Sequence, residues 1–339
     1  MIHRHKKYVN FTLSSSPHAH SKNSTAVIMR DVCIALLPAL IAAIYFFGWR
    51  TLTLTVFSVA GCIFFEWGYR KLMKKDCTVG DRSAAVTGML IAFVCPVTIP
   101  YWTVLVADFF AIVLVKQLFG GIGLNIVNPA LAARAFLFSW PSIMSGSWAK
   151  PGTAVPALHL SHSLDGITGA TPMEALAVGE LPAESLLDLF LGNLGGSFGE
   201  VSALALVLGG IYLLCRKVIS ARIPVAYLAT VAVLAFAFPL GGQPRADWML
   251  CQLLSGGLML GAIFMATDYT TSPVTRWGQI GFGIGCGALT IALRYFGSYV
   301  EGVSYAILIM NCCVGFFDKI GIPKRFGLVR AGKKGGESA

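Results

Sequence analysis

A polar heptad near the middle of the sequence is the clearest candidate for covalent chemistry. Residues 165–171 read Asp-Gly-Ile-Thr-Gly-Ala-Thr, and Pro172 follows them. The glycines and the alanine keep the backbone accessible, and the last residue carries a hydroxyl. Because a residue before proline avoids the helical region, Thr171 is predicted to have an extended backbone. We therefore take Thr171 as a candidate modification site in an exposed loop.

A second candidate is Asp108, which lies within the apolar stretch 101–118. An ionisable side chain inside such a segment indicates a functional role, either in binding a cation or in relaying a proton. The structural alternative is a buried partner for Arg134 or for a hydroxyl. Arg134, in the apolar stretch 129–141, could in turn pair with a carboxylate or hold the phosphate of a ligand.

Two polar motifs could line a binding site. Asn128 precedes Pro129, so it is a plausible helix N-cap with proline at the first helical position, and capping alone would explain it. The segment 267–275, which begins with Thr267 and Asp268, is dense in hydroxyls. Such a run can satisfy open backbone groups or hydrogen-bond the polar edge of a ring.

The sequence gives little support for a catalytic site or a metal site. No pairing of a nucleophile with a base is legible, so no catalytic residue is assigned. His159 and His162 lack further ligands for a metal, and the nine cysteines include no Cys-x-x-Cys pair. We therefore expect no metal site.

Composition indicates a polytopic membrane protein. Hydrophobic residues make up 56% of the sequence and charged residues only 12%, against about 25% in soluble domains. The net charge of +10 comes from short basic clusters between apolar segments. That pattern is typical of cytoplasmic loops beside an anionic lipid surface, and it argues against nucleic acid as a partner.

Apolar segments of spanning length give an all-α, multi-pass membrane protein with about ten transmembrane helices. The third segment contains Pro96 and Pro100, and the fifth is short. Broken or half helices are expected where the backbone lines a cavity, so these two should do so. The segments lie at about 31–48, 51–69, 84–100, 101–118, 129–141, 198–216, 224–241, 247–266, 278–296 and 302–317.

The distribution of lysine and arginine predicts the orientation. The long loop 142–197 holds a single basic residue, Lys150, whereas the assigned cytoplasmic loops and both tails are basic. Both termini are therefore expected inside and the long loop outside. Five spans on each side of this loop would make the halves an inverted repeat. The predicted divisions are a cytoplasmic tail (1–30), a first repeat (31–141), the extracytoplasmic loop (142–197), a second repeat (198–317) and a basic cytoplasmic tail (318–339).

The heptad matches the flavinylation signature Asp-Gly-x-Ser/Thr-Gly-Ala-Thr at every position. With the motifs around Asn128 and Asp268 in the same order, nearly the whole chain resembles the D subunit of the Rnf electron-transport complex. That family is related to the B subunit of the sodium-pumping NADH:quinone oxidoreductase, which carries a longer N-terminal region. The family resemblance also implies an architecture like that of urea transporters.

The resemblance implies two flavins. A flavin transferase on the extracytoplasmic side would join FMN to Thr171 through a phosphoester, and a second, non-covalent riboflavin would bind in the same subunit. The flavinylation motif comprises Asp165, Gly166, Thr168, Gly169, Ala170 and Thr171. Asn128, Thr267 and Asp268 are further candidates for cofactor binding, and Asp108 is the candidate for an ion path.

The function implied is that of an electron-relaying flavoprotein subunit in a bacterial or archaeal cytoplasmic membrane. The complex would be an ion-translocating ferredoxin:NAD⁺ oxidoreductase with further subunits A, B, C, E and G, coupled to Na⁺ or H⁺. This chain would not be catalytic alone, because it has no nucleotide-binding fingerprint and no cluster cysteines. The alternatives are a secondary transporter or channel with the same inverted repeat, and a membrane scaffold without a cofactor.

Overall fold

The computed structural model describes residues 24–140, 144, 148–149, 151–152, 171–297 and 302–320. Across these ranges the regular secondary structure is helical, without a β-strand. Five residues of the flavinylation motif (Asp165, Gly166, Thr168, Gly169 and Ala170) lie outside the described residues, as do residues 1–23 and 321–339 of the two tails.

The helices of the first half follow the predicted apolar segments closely. A kink at Gly48, where φ is +81°, separates the first two long helices. Helix α4 continues directly into a π-helix, Phe110–Gln117. The helices are α1 (Thr25–Phe47), α2 (Trp49–Leu72), α3 (Ser83–Phe93), α4 (Tyr101–Phe109) and α5 (Pro129–Leu137).

Two short helices, α6 (Pro172–Val178) and α7 (Leu186–Leu191), lead into the second half. There α11 continues into a second π-helix, Gly261–Met265. The helices are α8 (Ala203–Cys215), α9 (Arg222–Ala237), α10 (Arg245–Leu254), α11 (Leu258–Leu260), α12 (Arg276–Phe296), α13 (Val303–Cys312) and α14 (Val314–Lys319).

Only some of these helices could cross a bilayer by length and composition alone. Within the described ranges, α1 and α2 are long and apolar enough. The pair Arg245–Leu254 and Leu258–Met265 would be a third such span, bent by 64° at its break. The apolar helices α3, α8, α9 and α13 are shorter than a full span.

Two breaks interrupt the helices, and an arginine binds each of them. Between α3 and α4, the Arg50 guanidinium donates to the carbonyls of Val97 (2.6 Å) and Ile99 (3.1 Å). Between α10 and α11, the Arg294 guanidinium donates to the carbonyls of Gln252 (2.6 Å) and Ser255 (2.9 Å). Backbone groups left open by a break need such partners in an apolar interior. Pro96 and Pro100 predict the first break, whereas the second falls inside a segment that the sequence presents as continuous.

Glycines set the closest helix contacts. A Cβ at Gly283 would lie 2.8 Å from the Cβ of Ala226, and one at Gly287 would lie 2.7 Å from the Cβ of Thr230. These contacts join α12 to α9. Likewise, Gly209 of α8 packs directly on the Ala35 carbonyl of α1. Small residues thus allow backbone approach within and between the two halves.

Candidate functional site

The two polar motifs meet at one cleft, which we call the Asn–Asp cleft. The Asn125 amide donates to the Thr270 hydroxyl at 2.9 Å, across 145 positions of sequence. The Asn128 amide donates to the Met265 carbonyl at 3.4 Å. The cleft has about 730 Å³ of empty space, part of it open to solvent. Its lining residues are Met29, Val32, Ser83, Val86, Thr87, Leu90, Lys116, Ile122, Asn125, Asn128, Pro129, Ala130, Leu213, Val218, Ile219, Phe264, Thr267, Asp268, Tyr269 and Thr270.

Asn128 performs two tasks at this cleft. Its side-chain oxygen accepts from the backbone N–H groups of Ala130 (3.0 Å) and Leu131 (3.4 Å), and Pro129 is the first residue of α5. The predicted N-cap is therefore confirmed. The same side chain also ties the start of α5 to the end of the second π-helix through Met265. Capping alone does not account for that second contact.

The Thr267–Asp268 segment forms the opposite rim of the cleft. The Thr267 hydroxyl donates to the Ile263 carbonyl at 2.6 Å. The Asp268 carboxylate accepts from the hydroxyls of Thr270 (3.0 Å) and Thr271 (3.3 Å). Burial raises the pKa of Asp268, and these hydroxyls, which favour its charged form, act in the opposite direction. The hydroxyls of this segment therefore hydrogen-bond the Asp268 carboxylate and the Ile263 carbonyl. The segment also places polar atoms at the cleft.

A buried ion pair borders the Asn–Asp cleft. The Lys116 ammonium donates to the Glu66 carboxylate (2.8 Å) and to the Ser83 hydroxyl (2.6 Å). Thr78 donates to the other Glu66 oxygen at 2.6 Å. Glu66 is fully buried and Lys116 is 3% exposed. Sequence reasoning missed this pair, although the spacing of Ser58, Cys62 and Glu66 along α2 places polar groups on one helix face.

Thr171 lies at a second, smaller pocket. Its backbone is extended (φ −84°, ψ 151°), as the following proline predicts, and α6 begins at Pro172. Its side chain makes no capping hydrogen bond to α6. The residue is 8% exposed, so its hydroxyl is more sheltered than a simple loop position would be. The other lining residues are Pro172, Met173, Leu194, Gly195, Gly196, Ser197, Glu200, Val201, Leu254, Gly256 and Gly257.

Arg134 pairs with Glu200 beside this pocket, not with Asp108. Its guanidinium also donates to the Ser197 hydroxyl at 3.4 Å. The Glu200 carboxylate lies against Gly257, where a Cβ would collide with it. Gly257 has a φ of +65° and ends the break before α11. The ion pair thus connects α5, the segment before α8 and the second break. Glu200 was not singled out in the sequence, although it falls near the start of the predicted apolar segment 198–216.

Asp108 is fully buried between α4 and α2. One carboxylate oxygen accepts from the Ser58 hydroxyl at 2.7 Å and contacts the Cys62 thiol at 3.4 Å. The other oxygen has no hydrogen-bond partner. The hydroxyl contact was one of the two structural alternatives for Asp108. Arg134, the other, is engaged elsewhere.

Broken helices, buried ion pairs and two polar pockets in an apolar helical protein indicate a multi-pass membrane protein with pockets between its helices. The chain belongs to the NQR2, RnfD, RnfE family, whose sequence model matches residues 12–327. Together with the relatives described next, this match confirms the resemblance to the D subunit of the Rnf complex.

Three relatives, each the D subunit of its complex, illustrate the similarity. The D subunit of the Na⁺-translocating ferredoxin:NAD⁺ oxidoreductase complex of Acetobacterium woodii is 46% identical, over 96% of this chain and 98% of the relative. That of the proton-translocating ferredoxin:NAD⁺ oxidoreductase complex of Clostridium ljungdahlii is 38% identical, over 94% and 97%. That of the ion-translocating oxidoreductase complex of Actinobacillus succinogenes is 34% identical, over 94% and 98%.

Proposed function

We propose that this chain is the electron-relaying membrane flavoprotein subunit of an Rnf-type, ion-translocating ferredoxin:NAD⁺ oxidoreductase. The names of its relatives support the assignment to such a complex. The observation that carries the flavoprotein part is Thr171, which completes the heptad and leaves its hydroxyl unused by the helix that follows.

The surroundings of Thr171 fit a phosphoester-linked FMN. Gly195 and Gly196 line the pocket beside Thr171, and nothing lies within 4 Å of a Cβ added at Gly196. The buried Arg134–Glu200 pair holds the pocket wall in place. The FMN would supply one- and two-electron redox chemistry, while the protein supplies its position and surroundings.

The Asn–Asp cleft fits a non-covalent riboflavin. Apolar side chains such as Val86, Leu90 and Phe264 could pack on a planar ring. Asn125, Asn128 and Thr267 could meet its polar edge. Clefts that are mostly apolar with a few convergent polar groups are typical of cofactor sites.

A ten-span inverted repeat is the architecture that we propose for the membrane. Three features recur in each half: a broken helix, an arginine bound to the carbonyls of the break, and a π-helix after it. Under this architecture both termini lie in the cytoplasm, and Thr171 lies outside. The partners would be subunits A, B, C, E and G, with a flavin transferase during maturation.

In-gel fluorescence of the denatured chain tests the flavoprotein assignment. After co-expression with a flavin transferase, the wild-type band should fluoresce and Thr171→Ala should be dark. Thr153→Ala, which changes a threonine of the same loop outside the heptad, is the matched control and should remain fluorescent. A dark wild-type band would overturn the proposal in favour of a transporter or a scaffold without flavin.

A further inference from the structure

Asp108 is the one group in the described ranges that combines complete burial, a carboxylate and an oxygen without a hydrogen-bond partner. No ion pair joins it to a basic side chain of those ranges. An ionised carboxylate in an apolar interior without a cationic partner is strongly unfavourable. A neutral, protonated carboxyl removes that cost.

The space around Asp108 is too tight for a metal cation. Its unpartnered oxygen rests on Gly61, where a Cβ would lie only 2.6 Å away, and Leu105 lies beside it. The nearby polar groups are the Ser58 hydroxyl, which also reaches the Gly88 carbonyl at 2.9 Å, and the Cys62 thiol. Hard cations in proteins gather about six oxygen ligands. This oxygen-poor pocket suits a proton instead.

A polar stripe leads from Asp108 toward the Asn–Asp cleft. Ser58, Cys62 and Glu66 follow one another at four-residue intervals on α2. Glu66 is bonded to Lys116, which borders the cleft with Ser83. Asp108 lies just before the π-helix that carries Lys116. A π-helix changes which residues share a face, and such segments are frequent at functional sites.

The charged and titratable neighbours of Asp108 are few in the described part of the chain. On α2 they are Cys62 and, about one turn further along the helix, Glu66. The break after α3 contributes Cys95, which is buried, and α3 itself presents the Gly88 carbonyl. Lys116, on the π-helix after α4, is held by Glu66. None of these groups neutralises an ionised Asp108 directly.

We propose that Asp108 is a proton-binding site within the membrane, loaded and unloaded from the Asn–Asp cleft along the Cys62–Glu66 stripe. The proton moves between water at the cleft and the Asp108 carboxyl; one O–H bond breaks as another forms at each transfer, and no electron is transferred. The proposal deepens the ion-coupled part of the proposed function and is independent of the covalent flavin.

Infrared difference spectroscopy of the purified, intact complex tests this directly. In the wild-type complex, a pH step should produce the carbonyl band of a protonated carboxyl. This band should be absent in Asp108→Asn. It should remain in Asp76→Asn, which changes an exposed acid in the loop after α2. The in-gel flavin fluorescence of both variants should equal that of wild type, so that a failure of the flavin assignment is seen separately.

The addition of Na⁺ distinguishes a proton site at Asp108 from a metal-cation site. The band should titrate with pH equally in the absence and presence of Na⁺. A band that disappears on addition of Na⁺ at constant pH would show a cation site, and a band that persists in Asp108→Asn would show another carboxyl; either overturns the proposal.

A second variant keeps the proposal testable if Asp108→Asn fails to assemble. Ser58→Ala removes the hydroxyl that stabilises the ionised carboxylate. Its band should therefore titrate with a midpoint shifted to higher pH than in wild type. An unchanged midpoint in a correctly assembled Ser58→Ala complex contradicts the proposal.

Discussion

Lys116 and Glu66 form a buried ion pair, and neither charge would be stable at this depth without the other. Both are buried, and each has a further hydroxyl partner, Ser83 for the lysine and Thr78 for the carboxylate. Removing one member leaves the other charge without compensation, which typically costs about 3–5 kcal/mol. The pair therefore fixes the end of α2 against the π-helix at the rim of the Asn–Asp cleft.

Glu66→Gln is expected to destabilise the protein strongly, because it leaves the Lys116 ammonium buried without a carboxylate. The double variant Glu66→Gln, Lys116→Met should recover most of the lost stability, because no charge is then left buried. Thermal unfolding of the purified protein in detergent measures both. Equal loss in the single and the double variant would show that the pair does not act as a unit.

Several site residues could be predicted from the sequence, because their signals are local. Asn128 has the proline of an N-cap beside it, and Thr171 has the proline that makes its backbone extended. Asp108 stands out as an acid in an apolar run. Glu66 and Glu200 could not be assigned, because their partners Lys116 and Arg134 are 50 and 66 positions away. Only the packing of the helices brings those charges together.

At the scale of helices, the sequence predicts where they lie but not their internal form. Apolar stretches mark the positions of the long helices, and Pro96 and Pro100 mark the first break. The two π-helices, Phe110–Gln117 and Gly261–Met265, have no local sequence signature. Such π-helical turns are rare and frequently lie at functional sites. The Gly256–Gly257 pair, with φ of +68° and +65°, was the available signal for the second break.

Gly209→Ala is expected to destabilise the contact between α1 and α8, because the new methyl group would overlap the Ala35 carbonyl. Overpacking of this kind costs about 1–3 kcal/mol. Gly68→Ala on α2 is the matched control, since no atom lies within 4 Å of its added Cβ. Thermal unfolding in detergent should separate the two. A Gly209→Ala protein as stable as the control would mean that the helices can move apart without cost.

At the scale of the whole molecule, the charge pattern assigns the two pockets to opposite sides of the membrane. The Asn–Asp cleft is formed by elements that the charge pattern places at the cytoplasmic side. The Thr171 pocket is formed around the long loop, which the same pattern places outside. One buried hydrophobic core is shared by both halves. The proposed flavins would thus occupy opposite sides of one helical unit.

Thiol labelling tests this orientation. Cys77 is exposed in the loop after α2, among the basic residues Lys74 and Lys75. With the other exposed cysteines (Cys215, Cys312 and Cys313) replaced by serine, an impermeant maleimide should label inverted vesicles and not intact cells. Ala246→Cys, placed in the same protein with Cys77 also replaced, should show the reverse pattern. Labelling of Cys77 in intact cells contradicts a cytoplasmic loop.

If Thr171 is the attachment site for FMN, the shelter around this residue restricts when the attachment can take place. A maturation enzyme must contact both the hydroxyl and the flanking backbone, yet Thr171 is 8% exposed once Pro172 and Met173 have packed. If FMN is attached there, attachment must occur before this segment settles, or on chains in which it opens again. Cofactor loading would then be decided during a limited period after membrane insertion. Chains that fold past that period would assemble without flavin unless the segment opens again.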